Sequence, residues 1–332
     1  MNEVNNVVRD ALKQFTIQPT VIQPLGNAGG FSGADIYRVH TPGGSKYCLK
    51  KWPVAFDIEK LVWIHRVLIF AKANDCPELS TPVQTINGST FISDSQGIWE
   101  LTQWATGNAN YLQQPTLEKL HAAIEFLARF HQATARFQFN IIPSQNVQVV
   151  IERLRAFDSI FTAACGTAKF QDGLLNKQQL NEFSGKGRAL AIELASKLDP
   201  IRTQPLPVQP VIRDFRAEHL FFKGNELTAV IDFGAMRIDS VACDLSRIIG
   251  DTVGDDAADV AKLLEQYSSI RPLQAAEWQL AMLLNKASIV VGILNWLDWL
   301  FIQRRRFDDL STVKSRITLL FDRLNNQPCG AL

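Results

Sequence analysis

At 332 residues the chain is longer than a single hydrophobic core usually grows, and 46% hydrophobic against 20% charged residues lets it bury a sizeable interior in about two domains. A formal net charge of +1 supplies no basic field for nucleic acid and no acidic excess for a polycation, so neither partner is expected. Five scattered cysteines (Cys48, Cys76, Cys165, Cys243, Cys329) form no CxxC pair or metal spacing, and MNEVNNVVRDALKQF lacks the apolar core of a signal peptide; both point to a reducing, cytoplasmic setting.

Taken in chain order, an amphipathic helix over about 3–15 gives way to strand-like runs: TVIQPL, ADIYRVHT and, after a PGGS turn, KYCLKKW. The glycine-rich stretch GNAGGFSG lies between the first two. A strand, not a helix, follows it, which excludes the dinucleotide-binding and P-loop arrangements, where a helix N-terminus meets the phosphate. The loop instead reads as a hairpin tip, either an ordinary flexible one or one laying backbone N–H groups over phosphates. Alternation in YCLKK puts Cys48 and Lys50 on one face and Tyr47, Leu49 and Lys51 on the other, so one lysine points toward that hairpin's inner face. The small Cys48 beside it favours Lys50, whereas Lys51 suits a solvated edge.

Residues 57–73 carry Leu61, Ile64, Val67, Leu68 and Ala71 at helical spacing. TFISD and GIWELTQW then complete a small antiparallel sheet of five strands. From about Leu117 the pattern is helical through EKLHAAIEFLARFHQATARF, again over 148–160 and 177–198, and everywhere beyond Asp251. The apolar stretch 287–302 is interrupted by Asn295 and Asp298 and is short for a membrane span, so a buried helix and no membrane partner are expected. The domains expected are 1–103, a sheet lobe, and 104–332, a helical lobe, with a ligand cleft at the joint TQWATG.

One hairpin interrupts the helical region. HLFFK and ELTAVIDF flank the turn pair Gly224-Asn225, and doubling back brings Asp214, before the first strand, toward Asp232, after the second. Two carboxylates at one hairpin end repel unless a cation lies between them, and a divalent metal carrying phosphates would serve. A structural cap is the other reading of Asp232. Asp214 then becomes the candidate to receive or orient a hydroxyl proton. Asp239 and Asp244 read as structural acids, a helix cap and a buried hydrogen-bond acceptor, and His131 as a core histidine.

NAGGFSGADIYRV, YCLK, ELTQWATG, IRDFRAEHLFF and IDFGAMRIDSVACDL together resemble the aminoglycoside phosphotransferase and choline kinase-like family, from Gly26 to about Asp244. The resemblance implies an α+β, protein kinase-like fold with a small antiparallel N-lobe and a larger, mainly helical C-lobe. It implies ATP-dependent phosphorylation of a hydroxyl on a small-molecule acceptor. It makes Gly29, Gly30 and Ser32 of the loop and Lys50 contacts to ATP phosphates, with Lys50 held by Glu59 or Asp57. Thr102 would back the adenine pocket, and Gln103 and Ala105 would bind the adenine edge through the backbone. Asp214 would be the catalytic acid of the loop and Asp232 a ligand to Mg2+ or Mn2+.

The family pattern HxDxxxxN departs here in two places: Ile212 replaces its histidine and His219 its metal-binding asparagine. Magnesium holds imidazole poorly while manganese and zinc accept it, so His219 either ligates a softer metal or leaves magnesium to Asp232 and water, with Glu218 able to help. A nucleotide-binding pseudokinase with a sensing or scaffolding role is the alternative.

Overall fold

The computed structural model describes residues 2–27, 33–167, 173–307 and 309–327. Among them ten strands occur in chain order: β1 (Val21–Pro24), β2 (Asp35–His40), β3 (Lys46–Trp52), β4 (Ile92–Asp94), β5 (Gly97–Gln103), β6 (Asn140–Pro143), β7 (Pro205–Val211), β8 (Leu220–Lys223), β9 (Glu226–Val230) and β10 (Arg237–Asp239). They pair antiparallel in three sheets, ordered β1-β2-β3-β5-β4, β10-β7-β6 and β8-β9. The chain divides into two compact units, 1–137 with 217–236, and 138–216 with 237–332.

In the first unit, period-two alternation gives the five-stranded sheet two different faces. Tyr37, Val39, Leu49, Trp99 and Leu101 form one core with Val8, Ala11, Leu12 and Phe15 of the N-terminal helix Asn2–Gln14 and the turn after it. Burying a side chain such as Leu49 contributes about 1.5–3 kcal/mol, and together these residues fix the register of β3. The other face carries Trp52 and Ile98, which pack with Leu61 of helix Ile58–Lys72. Asp57 starts that helix as its N-cap, accepting from Lys60 N at 3.1 Å.

The turn at Gly224-Asn225 forms as read, with Gly224 at φ +64°, and joins β8 to β9. Gly107 lets the segment after β5 cross this hairpin, since a Cβ there would lie 2.6 Å from Phe222 O. Helix Leu117–Phe137 contacts both helix Ile58–Lys72 and β9, so it belongs to the first unit together with the hairpin. His131 is buried on it.

The second unit is mostly helical but corrects one expectation. The region after Leu117 also holds a sheet, β10-β7-β6, whose central strand is PLPVQPV. Three prolines in seven residues argue against a central strand, because proline has no N–H for a ladder. Here β6 pairs only with 205–208 and β10 only with 209–211. Each half of β7 therefore has a partner on one side, and a proline nitrogen facing the other side costs no ladder bond.

Helix Ala275–Leu297 continues through a π-helical turn to Ile302. Among the described residues it is the one segment long and apolar enough to cross a membrane, yet 61% of its apolar window is buried, and it packs on helices Ala242–Thr252 and Leu310–Asn325.

Candidate active site

In the first unit, β3 delivers Lys50 and Trp52 on one face of the sheet, and the chain leaving β9 delivers Asp232. The Lys50 ammonium lies 3.8 Å from the Trp52 ring centroid and 3.5 Å from Asp232 Oδ1. The lysine side chain is 15% exposed and the aspartate 39%, so the pair is shielded on one side and open on the other. Burial by itself would raise the Asp232 carboxyl. The Lys50 charge, His219 and the Gly234 N–H outweigh it and hold the group below its ordinary value, ionised at neutral pH.

Asp232 sits in the left-handed region at φ +65°, a conformation unfavourable for a residue with a Cβ and often met where a side chain must be aimed. Its frame is close-fitting. Ile231 N donates to His219 O at 3.1 Å, and Lys60 Nζ donates to Gly234 O at 2.7 Å. A Cβ on Gly234 would stand 2.6 Å from the Trp52 indole.

His219 Nε2 lies 3.9 Å from Asp232 Oδ2 and 3.9 Å from Glu218 Oε1. Those separations are too long for hydrogen bonds. They lie within the span of two ligands on one ion, which reaches roughly 4 Å for bonds of about 2.0–2.2 Å. An imidazole and an ionised, half-exposed carboxylate so disposed fit a divalent metal that accepts nitrogen.

Lys50 has a second acidic neighbour that sequence spacing concealed. Register sets Lys50 opposite Glu100 on β5. Glu100 accepts from Trp52 Nε1 at 2.8 Å and lies 2.7 Å from His65 Nε2, while His65 Nδ1 faces Thr90 Oγ1 at 2.8 Å. Burial would raise the Glu100 carboxyl; the His65 hydrogen bond, the Lys50 charge and the Trp52 indole together pull it below its ordinary value. As an ionised carboxylate can only accept, His65 Nε2 carries the proton in this contact. Glu59 and Asp57 are both exposed at the start of helix Ile58–Lys72, where Asp57 is occupied as the cap.

Thr102 pairs with Cys48 and Gln103 with Tyr47 at the end of β5, and Ala105 follows, half-buried. Gly29, Gly30 and Ser32 lie outside the described residues. The turn leading to them begins at Gly26, φ +62°, whose carbonyl accepts from Ile36 N at 2.7 Å.

In the second unit, β7 runs directly into the IRD segment. The buried Asp244 carboxylate accepts from Ile212 N at 2.7 Å and Arg213 N at 2.5 Å. Arg213 is left-handed at φ +71°, so the two backbone bonds hold a strained turn immediately before Asp214, which is half-exposed. Asp239, also buried, accepts from Ser144 Oγ, Asn146 N and Ser240 N at 2.5, 3.0 and 2.8 Å. It thus supports the start of helix Gln145–Arg155 rather than capping the helix that follows it.

The sequence profile of the phosphotransferase enzyme family matches residues 25–279. A homoserine kinase of Agrobacterium fabrum is 37% identical over 101 residues, 29% of this chain and 31% of that protein, so the match spans about a third of the relative's length. Solved structures agree over nearly the whole chain. A spectinomycin phosphotransferase in complex with ADP and spectinomycin has TM-score 0.71 at 14% identity, covering 97% of both chains. An aminoglycoside phosphotransferase from Alicyclobacillus acidocaldarius has TM-score 0.69 at 12% identity, covering 96% of this chain and 92% of its own. An amicoumacin kinase in complex with AMP-PNP and Ca2+ has TM-score 0.66 at 14% identity, covering 99% and 95%. At such identities the structures establish the fold, which is protein kinase-like. With that fold over nearly its full length and the family profile over more than three quarters of it, the chain belongs to the phosphotransferase enzyme family.

Proposed function

We propose that this chain is an ATP-dependent kinase that phosphorylates a hydroxyl group of a small molecule. The observation that carries this reading is the Lys50–Asp232 pair, two residues 182 apart in sequence that meet at 3.5 Å on an open face. A cation for phosphate oxygens beside an ionised acid for a metal is the minimum that phosphoryl transfer asks for, because its transition state is loose and needs positioning and charge neutralisation more than activation.

Lys50 takes the α- and β-phosphates, and Glu100, fixed by His65 and Trp52, holds its ammonium in place from below. Gly29, Gly30 and Ser32 are assigned to the phosphates by the family resemblance alone. Thr102 backs the adenine, whose edge meets the Gln103 carbonyl and the Ala105 N–H. Asp232 and His219, with Glu218 in reach, hold a divalent ion that neutralises the phosphate charge when bound. Asp214 accepts the acceptor's proton as its oxygen bonds to the γ-phosphorus and the bond to the β–γ bridging oxygen breaks, releasing ADP. The ADP and AMP-PNP bound by two structural relatives support the nucleotide, and the alcohol acceptor of the homoserine kinase relative supports the reaction class.

A second reading, a nucleotide-binding pseudokinase, is favoured by one observation, His219 in the position of a metal-binding asparagine. Phosphorus NMR of ATP with a pool of hydroxylated metabolites separates the two. Formation of a phosphate ester together with ADP, abolished in Asp214→Asn while ATP binding persists, is the result expected of the kinase. ATP binding without ester or ADP, under manganese as well as magnesium, is the result expected of the pseudokinase.

A further inference from the structure

The segment that carries Asp214 has three arginines of its own unit near it in sequence or on the adjoining helix. Arg213 precedes it, Arg216 follows it, and Arg247 projects from helix Ala242–Thr252, the helix whose Asp244 grips the IRD backbone. Two of these arginines have acids. Arg213 Nη1 lies 3.6 Å from the buried Asp239 Oδ2, and Arg216 Nε lies 3.3 Å from Asp251 Oδ2.

Arg247 is different. It is exposed, and among the described residues it makes no hydrogen bond or ion pair, although Asp251 stands one turn further along its helix and is engaged by Arg216. Asp244, three residues before it, and Asp251, four after it, both meet the 212–216 segment, so Arg247 presents an exposed guanidinium with no acid of its own on the helix face beside that segment, available to an incoming anion. Its planar fork matches a carboxylate or a phosphate in two parallel hydrogen bonds.

We propose that Arg247, flanked by Arg216, binds an anionic group on the acceptor, so that the acceptor is a small hydroxy acid or a phosphorylated alcohol whose hydroxyl is presented to Asp214. This rests on the kinase reading. The same feature argues against a polycationic acceptor, which would meet Arg247 and Arg216 beside the reacting hydroxyl.

The test is ADP production by the full-length protein with manganese-ATP and five hydroxyl probes: glycerate, 4-hydroxybutyrate, glycerol 3-phosphate, glycerol and ethanolamine. Expected is a preference for an anionic probe, with the carboxylate and phosphate arms telling which anion is held. Arg247→Met is expected to raise the KM for that probe by about 10- to 100-fold, the worth of a charge-assisted hydrogen bond, with the KM for ATP unchanged and Arg247→Lys restoring part of the loss. Preference for glycerol or ethanolamine overturns the inference, as does an Arg247→Met defect shared equally by all probes, or no turnover of any probe. Calorimetry of ATP binding to the same preparation separates the two levels. Intact ATP binding with the wrong acceptor preference removes only the anionic acceptor, whereas absence of ATP binding removes the kinase reading beneath it.

Discussion

Lys50 Nζ and Asp232 Oδ1 stand 3.5 Å apart, close enough for the lysine charge to hold the carboxyl down and too far for a tight ion pair. A contact this loose is readily parted by the phosphate and metal proposed to bind there. Lys50→Met is therefore expected to lower catalytic efficiency by about 10²-fold or more, as loss of a preorganised charge-stabilising donor does. The same substitution is expected to raise the Asp232 carboxyl toward its ordinary value, because the Lys50 charge is the largest influence holding it down. Carbon-13 NMR of labelled aspartate across an acid titration reads that change.

Glu100 should contribute to stability in a pH-dependent way. Its folded carboxyl value lies below the ordinary one, so its contribution is fully present above the unfolded carboxyl range, about 4.3, and is lost as pH falls through the folded value. Glu100→Gln is expected to cost about 1–3 kcal/mol at neutral pH, as a buried charge-assisted pair is broken, and to flatten the acid side of the stability profile. Urea unfolding between pH 2 and pH 8 measures both. A profile as steep as that of the unsubstituted chain would assign the acid sensitivity elsewhere.

Asp244 makes two backbone bonds to the turn before Asp214. Asp244→Asn removes the charge and one acceptor oxygen. The expected result is a fall in kcat of about 10-fold or more with little change in ATP affinity, since displacement of a reacting group by 1 Å is costly while the residues proposed to hold the nucleotide belong to the other unit. Steady-state kinetics with ATP varied distinguishes this from loss of fold, which would reduce active-site concentration and leave KM and the kcat per active site alone.

Gly234→Ala places a methyl group 2.6 Å from the Trp52 indole, the surface on which the Lys50 ammonium rests. Overpacking of this kind costs about 1–3 kcal/mol. Thermal unfolding is expected to fall accordingly, with ATP affinity reduced because Trp52 must shift. An Ala substitution at Gly43, where no atom lies within 4 Å of the added Cβ and the backbone is not left-handed, is expected to leave stability and ATP binding unchanged and serves as the control.

The five-stranded sheet and the 220–230 hairpin were legible because their signals are local: period-two alternation in YCLKKW, and a Gly-Asn turn between two β-prone runs. The β10-β7-β6 sheet was not, since Pro205, Pro207 and Pro210 erase the local strand signal and the sheet exists through pairing with 140–143 and 237–239, distant in sequence. The same limit hid Glu100. An acid's distance from Lys50 along the chain says nothing of its cross-strand register, so attention fell on Glu59 and Asp57, near in sequence and at the head of a helix. Asp244 was recognisable as a buried acceptor because an acid in an apolar helix must be satisfied, but what it accepts from could be known only from the turn it braces.

Metal-dependent ATP binding tests the central claim most directly. Calorimetric titration of ATP into the protein without metal, with magnesium and with manganese, beside Asp232→Ala, is expected to show metal-dependent binding that the substitution abolishes. His219 as a ligand adds an expected preference for manganese. Absence of ATP binding in every arm, or binding indifferent to both metal and Asp232, would contradict the account and leave a kinase-like fold serving another purpose.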